Sequence, residues 1–246
     1  MIESIHIENF KCLEKLTIHS LSRVNLIIGK NNTGKSTLLE AIALYASQAD
    51  LKEIARILKD RGVIFTQTSA SKSITEYNIE NFSSLFTNRH VGFQPPDRIL
   101  IGTHVNTLFG KEITLESSVS LRFVKYNTEI DEVPNKTNKN IEQLDNEIFI
   151  RNYGFGIEIR NGLMPRILPL DDERLYSRPI FRNTDTVTNF QFVRTYDQAK
   201  EVNGNLWDKI TLTEKEAYVI QALRIIEPRI ERIAFVNDGD RFRSAV

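Results

Sequence analysis

An α/β architecture is expected for this chain of 246 residues. Three observations predict it: a glycine-containing loop between an apolar run and a helix-forming segment near the N-terminus, short alternating segments through the middle, and a capped helix followed by another apolar run near the end.

Residues 4–8 alternate, with Ile5 and Ile7 on one side and Ser4, His6 and Glu8 on the other, which predicts a half-exposed strand whose pattern Leu16 and Ile18 continue. Val24-Asn25-Leu26-Ile27-Ile28 is a short apolar run stopping at Gly29, the pattern of a buried parallel strand. From Lys35 a crossover helix is expected to residue 48, with Leu38, Leu39, Ile42 and Tyr45 on one face. Asp50 with Glu53 reads as a capping box for a second helix, which carries Leu51, Ile54, Ile57 and Leu58 and stops at Gly62.

The middle changes period. Arg98–Ile101, Ile113–Leu115, Val119–Tyr126, Ile148–Ile150, Ile157–Ile159 and Leu163–Leu168 are short, mostly alternating segments, and Asn161-Gly162 is a two-residue hairpin signal. They predict a mostly antiparallel β arm inserted into the α/β core. Between Asn127 and Glu147 the chain turns polar and rich in Asn, Lys and Glu, as an exposed loop does. Thr213 with Glu216 reads as a capping box for a helix bearing Tyr218, Val219, Ala222, Leu223 and Ile226 and closed by Pro228; Ile230–Val236 is expected to follow as a strand.

The loop Gly29-Lys30-Asn31-Asn32-Thr33-Gly34-Lys35-Ser36 fits G-x-x-x-x-G-K-[ST] at each constrained position, and its strand and helix flanks complete the context of a P-loop. Glycines at 29 and 34 let successive N–H groups turn toward phosphate oxygens, while the helix from Lys35 directs its positive end at the same place. Lys35 is expected to stabilise the β- and γ-phosphates, and the Ser36 hydroxyl to ligate Mg²⁺. A P-loop NTPase binding Mg·ATP through residues 29–37, Thr37 included, is therefore expected. The chain divides on this basis into a P-loop lobe (1–62), the antiparallel β arm and loops (63–205), and a helix and strand returning to the core (206–246).

Composition bounds the remaining options. With 41% apolar residues the chain can bury a core, and Lys plus Arg balances Asp plus Glu at 32 each, so net charge neither supports nor excludes DNA. The single cysteine, Cys12, cannot form an internal disulfide, and no apolar stretch approaches the ~20 residues needed to cross a bilayer. A cytoplasmic protein without a membrane partner is expected. His6, His19, His90 and His104 show no metal-ligand spacing, and no acidic cluster suggests a nuclease site.

Ile5-His6-Ile7-Glu8-Asn9-Phe10-Lys11, followed by Asn25 through Ser36 and then Thr37-Leu38-Leu39-Glu40-Ala41-Ile42, resembles the opening of the OLD/RecF/SMC-like ABC-type ATPases. Leu206-Trp207-Asp208-Lys209-Ile210 through Ile233 looks like the middle of prokaryotic AAA-type ATPases of the OLD group. The resemblance implies the N-terminal part of an ABC-type head that homodimerises around ATP, acts in DNA repair or phage defence, and works beside a nuclease or other effector, with DNA as a further partner. It implies that Lys11 approaches the nucleotide and that Gln191 or Gln198 meets Mg²⁺.

It also implies a Gly- and Ser-rich signature loop, a strand ending Asp-Glu and a switch His. Leu212-Thr213-Glu214-Lys215-Glu216 and Ile233-Ala234-Phe235-Val236-Asn237-Asp238 have the order of the first two without their chemistry: the former lacks glycine, and the latter has Asn237-Asp238 where Asp-Glu belongs. A chain with the phosphate cradle and no water-organising carboxylate is expected to bind ATP with little turnover, as the N-terminal portion of a longer ATPase would. The alternative is a nucleotide-dependent interaction module with no catalysis of its own.

Overall fold

A computed structural model describes residues 2–60, 62, 72–107, 110–114, 117–127, 153–162, 164–172, 190, 192–193, 206–237 and 242–245. The chain divides into two units, Met1–Phe190 and Gln191–Val246.

In the first unit the strands are β1 (Ile5–Phe10), β2 (Leu13–Ile18), β3 (Arg98–Gly102), β4 (Val105–Thr107), β5 (Gly110–Glu112), β6 (Ser118–Asn127), β7 (Tyr153–Asn161) and β8 (Met164–Pro169). Six of them form one sheet in the order β2-β1-β3-β6-β7-β8, with every neighbouring pair antiparallel, and β4-β5 is a separate hairpin. Of the segments expected as an arm, those that form β3, β6, β7 and β8 thus hydrogen-bond into the same sheet as the N-terminal hairpin. Across β6 and β7, Arg122 and Glu158 stand opposite each other and form a two-pronged ion pair at 2.9 and 3.0 Å, which fixes that register. The β7–β8 turn pairs Asn161 with Met164, so Gly162, at φ 77°, takes its first central position; the turn sits one residue later than Asn161-Gly162 suggests.

Helices α1 (Lys35–Ala46), α2 (Leu51–Lys59) and α3 (Ile74–Ser83) share one apolar core with this sheet. Ile5, Ile7 and Phe10 of β1 join Ile99 and Ile101 of β3 and Leu121 and Phe123 of β6 in it. Leu38, Ala41 and Leu44 of α1, Leu51, Ile54, Ile57 and Leu58 of α2, and Phe82 of α3 complete it. All four apolar residues expected on α2 are buried. On α1 the buried stripe is Thr37, Leu38, Ala41 and Leu44, and Leu39 is 44% exposed. One residue is a 100° step around a helix, so packing the stripe at Leu38 turns Leu39 outward. Helix α3 has no counterpart in the sequence reading. Its signal is a full capping box, in which Ser73 Oγ accepts from Glu76 N–H and Glu76 accepts from Ser73 N–H. The box read at Asp50 is half formed: Asp50 accepts from Lys52 N–H at 3.3 Å, while Glu53 pairs with Arg56.

Three expectations for the strands are corrected. The face of β1 expected to meet water is covered at two of its three positions: Ser4 and His6 are each 7% exposed, with His6 Nδ1 bonded to Thr17 Oγ1 at 2.7 Å and His104 N–H donating to Ser4 Oγ at 3.0 Å, while Glu8 stays half-buried. Residues 24–28 form no strand, and Val24, Leu26 and Ile28 are 85%, 86% and 81% exposed while Ile27 packs against the core. A parallel strand needs a parallel neighbour, and every strand pair among the described residues is antiparallel. Ile113 and Thr114 lie outside any strand. Ile148–Ile150 and the polar stretch beyond Asn127 fall outside the described residues.

In the second unit, α4 (Glu214–Arg224) is capped by Thr213, whose side chain accepts from Lys215 N–H, while Glu216 reaches back to Leu212 N–H instead of closing the expected box. No residue of α4 is buried, and Tyr218, Ile225 and Ile226 are exposed. Strand β9 (Ala234–Asn237), shorter than the Ile230–Val236 strand expected, pairs antiparallel with β10 (Phe242–Ala245).

Candidate functional site

The glycine-containing loop meets α1 at Gly34, the helix N-cap, in a left-handed conformation (φ 88°, ψ 11°). A Cβ there would meet Cys12 Sγ at 3.1 Å and Leu13 Cδ2 at 3.2 Å, so both backbone angle and space require glycine. No side chain caps this helix and its first turn carries no acidic residue, which leaves the positive end of its dipole for an external anion. The loop holds itself together: Thr33 Oγ1 donates to Lys30 carbonyl at 2.9 Å, and Lys35 Nζ donates to Gly29 carbonyl at 2.8 Å and to Lys30 carbonyl. An ammonium has three donors, so Lys35 keeps one for a ligand. The Ser36 hydroxyl is exposed and makes no hydrogen bond to the described residues.

The loop forms one side of a cavity of about 1020 Å³, to which Asn31, Asn32, Gly34, Lys35, Ser36 and Thr37 contribute. Lys11 and Cys12, from the turn between β1 and β2, line it as well. Ser84, Phe86, Asn88 and Arg89, from the segment after α3, complete the lining. Among the described residues that line it there are three cations and no carboxylate.

The Asn9-Phe10-Lys11 triplet assembles these parts. Asn9 Oδ1 accepts from Thr87 N–H at 3.2 Å and Asn9 Nδ2 donates to Arg98 carbonyl; Phe10 bridges to Phe86; Lys11 N–H donates to Leu85 carbonyl at 2.9 Å. Lys11 Nζ then reaches α1, bonding Glu40 Oε2 at 2.6 Å with its side chain 3% exposed. Lys11 therefore lines the cavity with its charge already engaged by Glu40. Cys12 Sγ lies 3.5 Å from Thr37 Oγ1, and Thr37 is 4% exposed.

The family model described as an AAA ATPase domain matches residues 1–154. The chain belongs to the AAA ATPase domain family. Membership implies use of ATP, usually with Mg²⁺, and the α/β fold with its antiparallel sheet fits a P-loop NTPase. Among curated relatives, an uncharacterized protein of Methanocaldococcus jannaschii is 43% identical over 67 residues, which are 25% of this chain and 31% of that protein. An ATP/GTP phosphatase of Helicobacter pylori is 35% identical over 82 residues, 32% of this chain and 22% of that protein. The matched part spans less than a third of either relative.

The remaining residues expected at the site of this AAA ATPase domain are distributed as follows. Gly29, Lys30 and Thr33 build the loop's internal bonds, while Asn31, Asn32 and Lys35–Thr37 face the cavity. Gln191 and Gln198, expected near Mg²⁺, lie outside the described residues, as does Asp238. The histidines include a cluster that linear spacing hides, with His104 ring centroids 6.0 Å from His6 and 5.8 Å from His19. No group of metal-ligating side chains occurs among the described residues. No described helix is long and apolar enough to cross a membrane. The wall at Ser84–Arg89 has little local signal: the Ser73–Glu76 box announces the helix leading to it, and only Asn88, a residue tolerant of left-handed backbone, marks the turn itself.

Proposed function

We propose that this chain is the Mg·ATP-binding head of an OLD/RecF-like, ABC-type ATPase, with strands β3–β8 corresponding to the inserted β arm. On this reading, nucleotide-dependent homodimerisation of the head gates a nuclease or other effector in cytoplasmic DNA repair or phage defence, with DNA as a possible further partner. The observation that carries it is the cradle at Gly34: a left-handed N-cap, an uncapped helix end and a lysine with one donor to spare, all facing a cavity lined by cations. Asn31–Thr37 would hold the phosphates, with Lys35 stabilising the terminal ones. The Ser36 hydroxyl, exposed at the cavity and unengaged by the described residues, fits a Mg²⁺ ligand, and the ion would offset phosphate charge.

The same lining supports slow turnover. No described residue around the cavity is a carboxylate able to orient an attacking water, so hydrolysis would draw on elements beyond it. That also favours the second reading, an interaction module whose nucleotide state recruits a partner without chemistry. Titrating a fluorescent ATP analogue into the full chain and its Lys35→Ala variant tests the core claim: the variant is expected to lose binding, and unchanged affinity would refute it. Rapid phosphate release by the isolated chain would overturn both the expectation of slow turnover and the module reading.

A further inference from the structure

We propose that the Asn88–Arg89 turn is a second phosphate-binding wall, from which the Arg89 guanidinium grips the polyphosphate of the nucleotide opposite the Gly29–Ser36 loop. This rests on the reading of the cavity as a nucleotide site. Arg89 lines the same cavity as Lys35 and Ser36, is exposed, and makes no side-chain hydrogen bond to the described residues. Glu80, whose carboxylate feels its charge, is already bonded to Lys72 at 2.6 Å. Of the three cations around the cavity, Lys11 is engaged by Glu40 and Lys35 has spent two donors on the loop, so Arg89 brings a complete planar fork suited to two phosphate oxygens at once.

The backbone favours the assignment. Asn88 and Arg89 both hold φ 53°, a left-handed conformation that asparagine tolerates and arginine resists. The surroundings impose it: Asn9 receives Thr87 N–H, Lys11 N–H binds Leu85 carbonyl, Phe10 bridges Phe86, and Arg89 N–H returns to Phe86 carbonyl at 3.1 Å. Strain held this firmly at a cavity wall fixes where a side chain starts, as in pre-organised ligand clamps. Phe86 is 2% exposed and packs its ring 4.9 Å from that of Phe123, so it serves as anchor and not as a stacking surface for a base. Asn9-Phe10-Lys11 thereby acquires a role as the brace that holds the second wall in position.

The test is equilibrium binding of ATP and of inorganic tripolyphosphate, which has no base or ribose, to the full chain and to Arg89→Ala and Arg89→Gln. Loss of a charge-assisted, forked contact is expected to weaken both ligands in parallel by about ten- to a hundredfold in each variant. The side chain is exposed, so the variants should melt with the parent. Wild-type binding of ATP left within twofold by both substitutions overturns the inference and leaves the nucleotide reading standing. Weakened ATP with unaltered tripolyphosphate also overturns it, because the contact would then be to base or ribose. Failure of the wild-type chain to bind ATP overturns the nucleotide reading and this inference with it.

Discussion

Lys11→Met would leave the Glu40 carboxylate, 11% exposed on the far side of a 2.6 Å ion pair, without its hydrogen-bonded cation. Removing one partner of a buried pair costs about 3–5 kcal/mol, because the remaining charge has lost both water and its counter-ion. For a chain of this size each kcal/mol shifts the melting midpoint by roughly 2–4 °C, so a fall of about 6–20 °C is expected. Glu40→Met should fall in the same range. The double variant Lys11→Met with Glu40→Met removes both charges and fills the space with apolar side chains; it should recover most of the loss. Thermal and urea denaturation of the full chain and the three variants close the cycle. A cost below about 1 kcal/mol for Lys11→Met would refute the reasoning, since that is the worth of a solvated surface pair. So would additive losses in the double variant. Its ATP affinity settles a second point: restored stability with restored binding makes Lys11 a positioning residue, whereas restored stability with lasting weakness assigns it a contact with nucleotide.

Gly34→Ala should lower stability by about 1–3 kcal/mol, the cost of a non-glycine residue held left-handed, and should weaken ATP binding through the Cβ contacts to Cys12 and Leu13; an unaltered melting midpoint and affinity would contradict the cradle geometry. Burial raises the pKa of Glu8, but hydrogen bonds and charge from His6 and Lys15 outweigh it and hold the carboxyl below its ordinary 4.5. A depressed folded pKa means the ionised form stabilises the fold: that contribution is complete above the unfolded value and is lost as pH falls through the folded one. Glu8→Gln should therefore flatten the stability–pH slope on the acid side of 4.5, measured by urea unfolding across that range; an unaltered slope would count against the His6–Glu8–Lys15 arrangement.

The glycine-containing loop was legible in the sequence because its constraints are local. Gly34 answers to its own backbone angle, and the apolar spacing of α2 answers to one helix face. It misled where a residue's surroundings arrive from elsewhere in the chain. Ser4 and His6 look solvent-facing until Thr17 and His104 cover them, Leu39 loses its place in the core to the packing angle of α1, and Val24–Ile28 has the composition of a central strand with no described neighbour to make it one. The second wall of the cavity was invisible for the same reason. Arg89 is remote in sequence from Lys35, and the contacts of Asn9, Phe10 and Lys11 with the segment before it help bring the two to one cavity.

The outward row Val24, Leu26 and Ile28 bears on how this chain behaves in solution. An exposed apolar segment whose backbone groups make no hydrogen bond to the described residues invites association with another chain, and such segments are usually guarded by charges at their ends. Here the flanking charges are Arg23 and Lys30. Lys30 thus stands at two posts, its carbonyl accepting from Thr33 and Lys35 inside the loop and its side chain a cationic guard beside the apolar row. A substitution that neutralises its side chain would promote self-association while leaving the carbonyl bonds of the loop in place, and an inactive Lys30 variant would first have to be separated from an aggregated one.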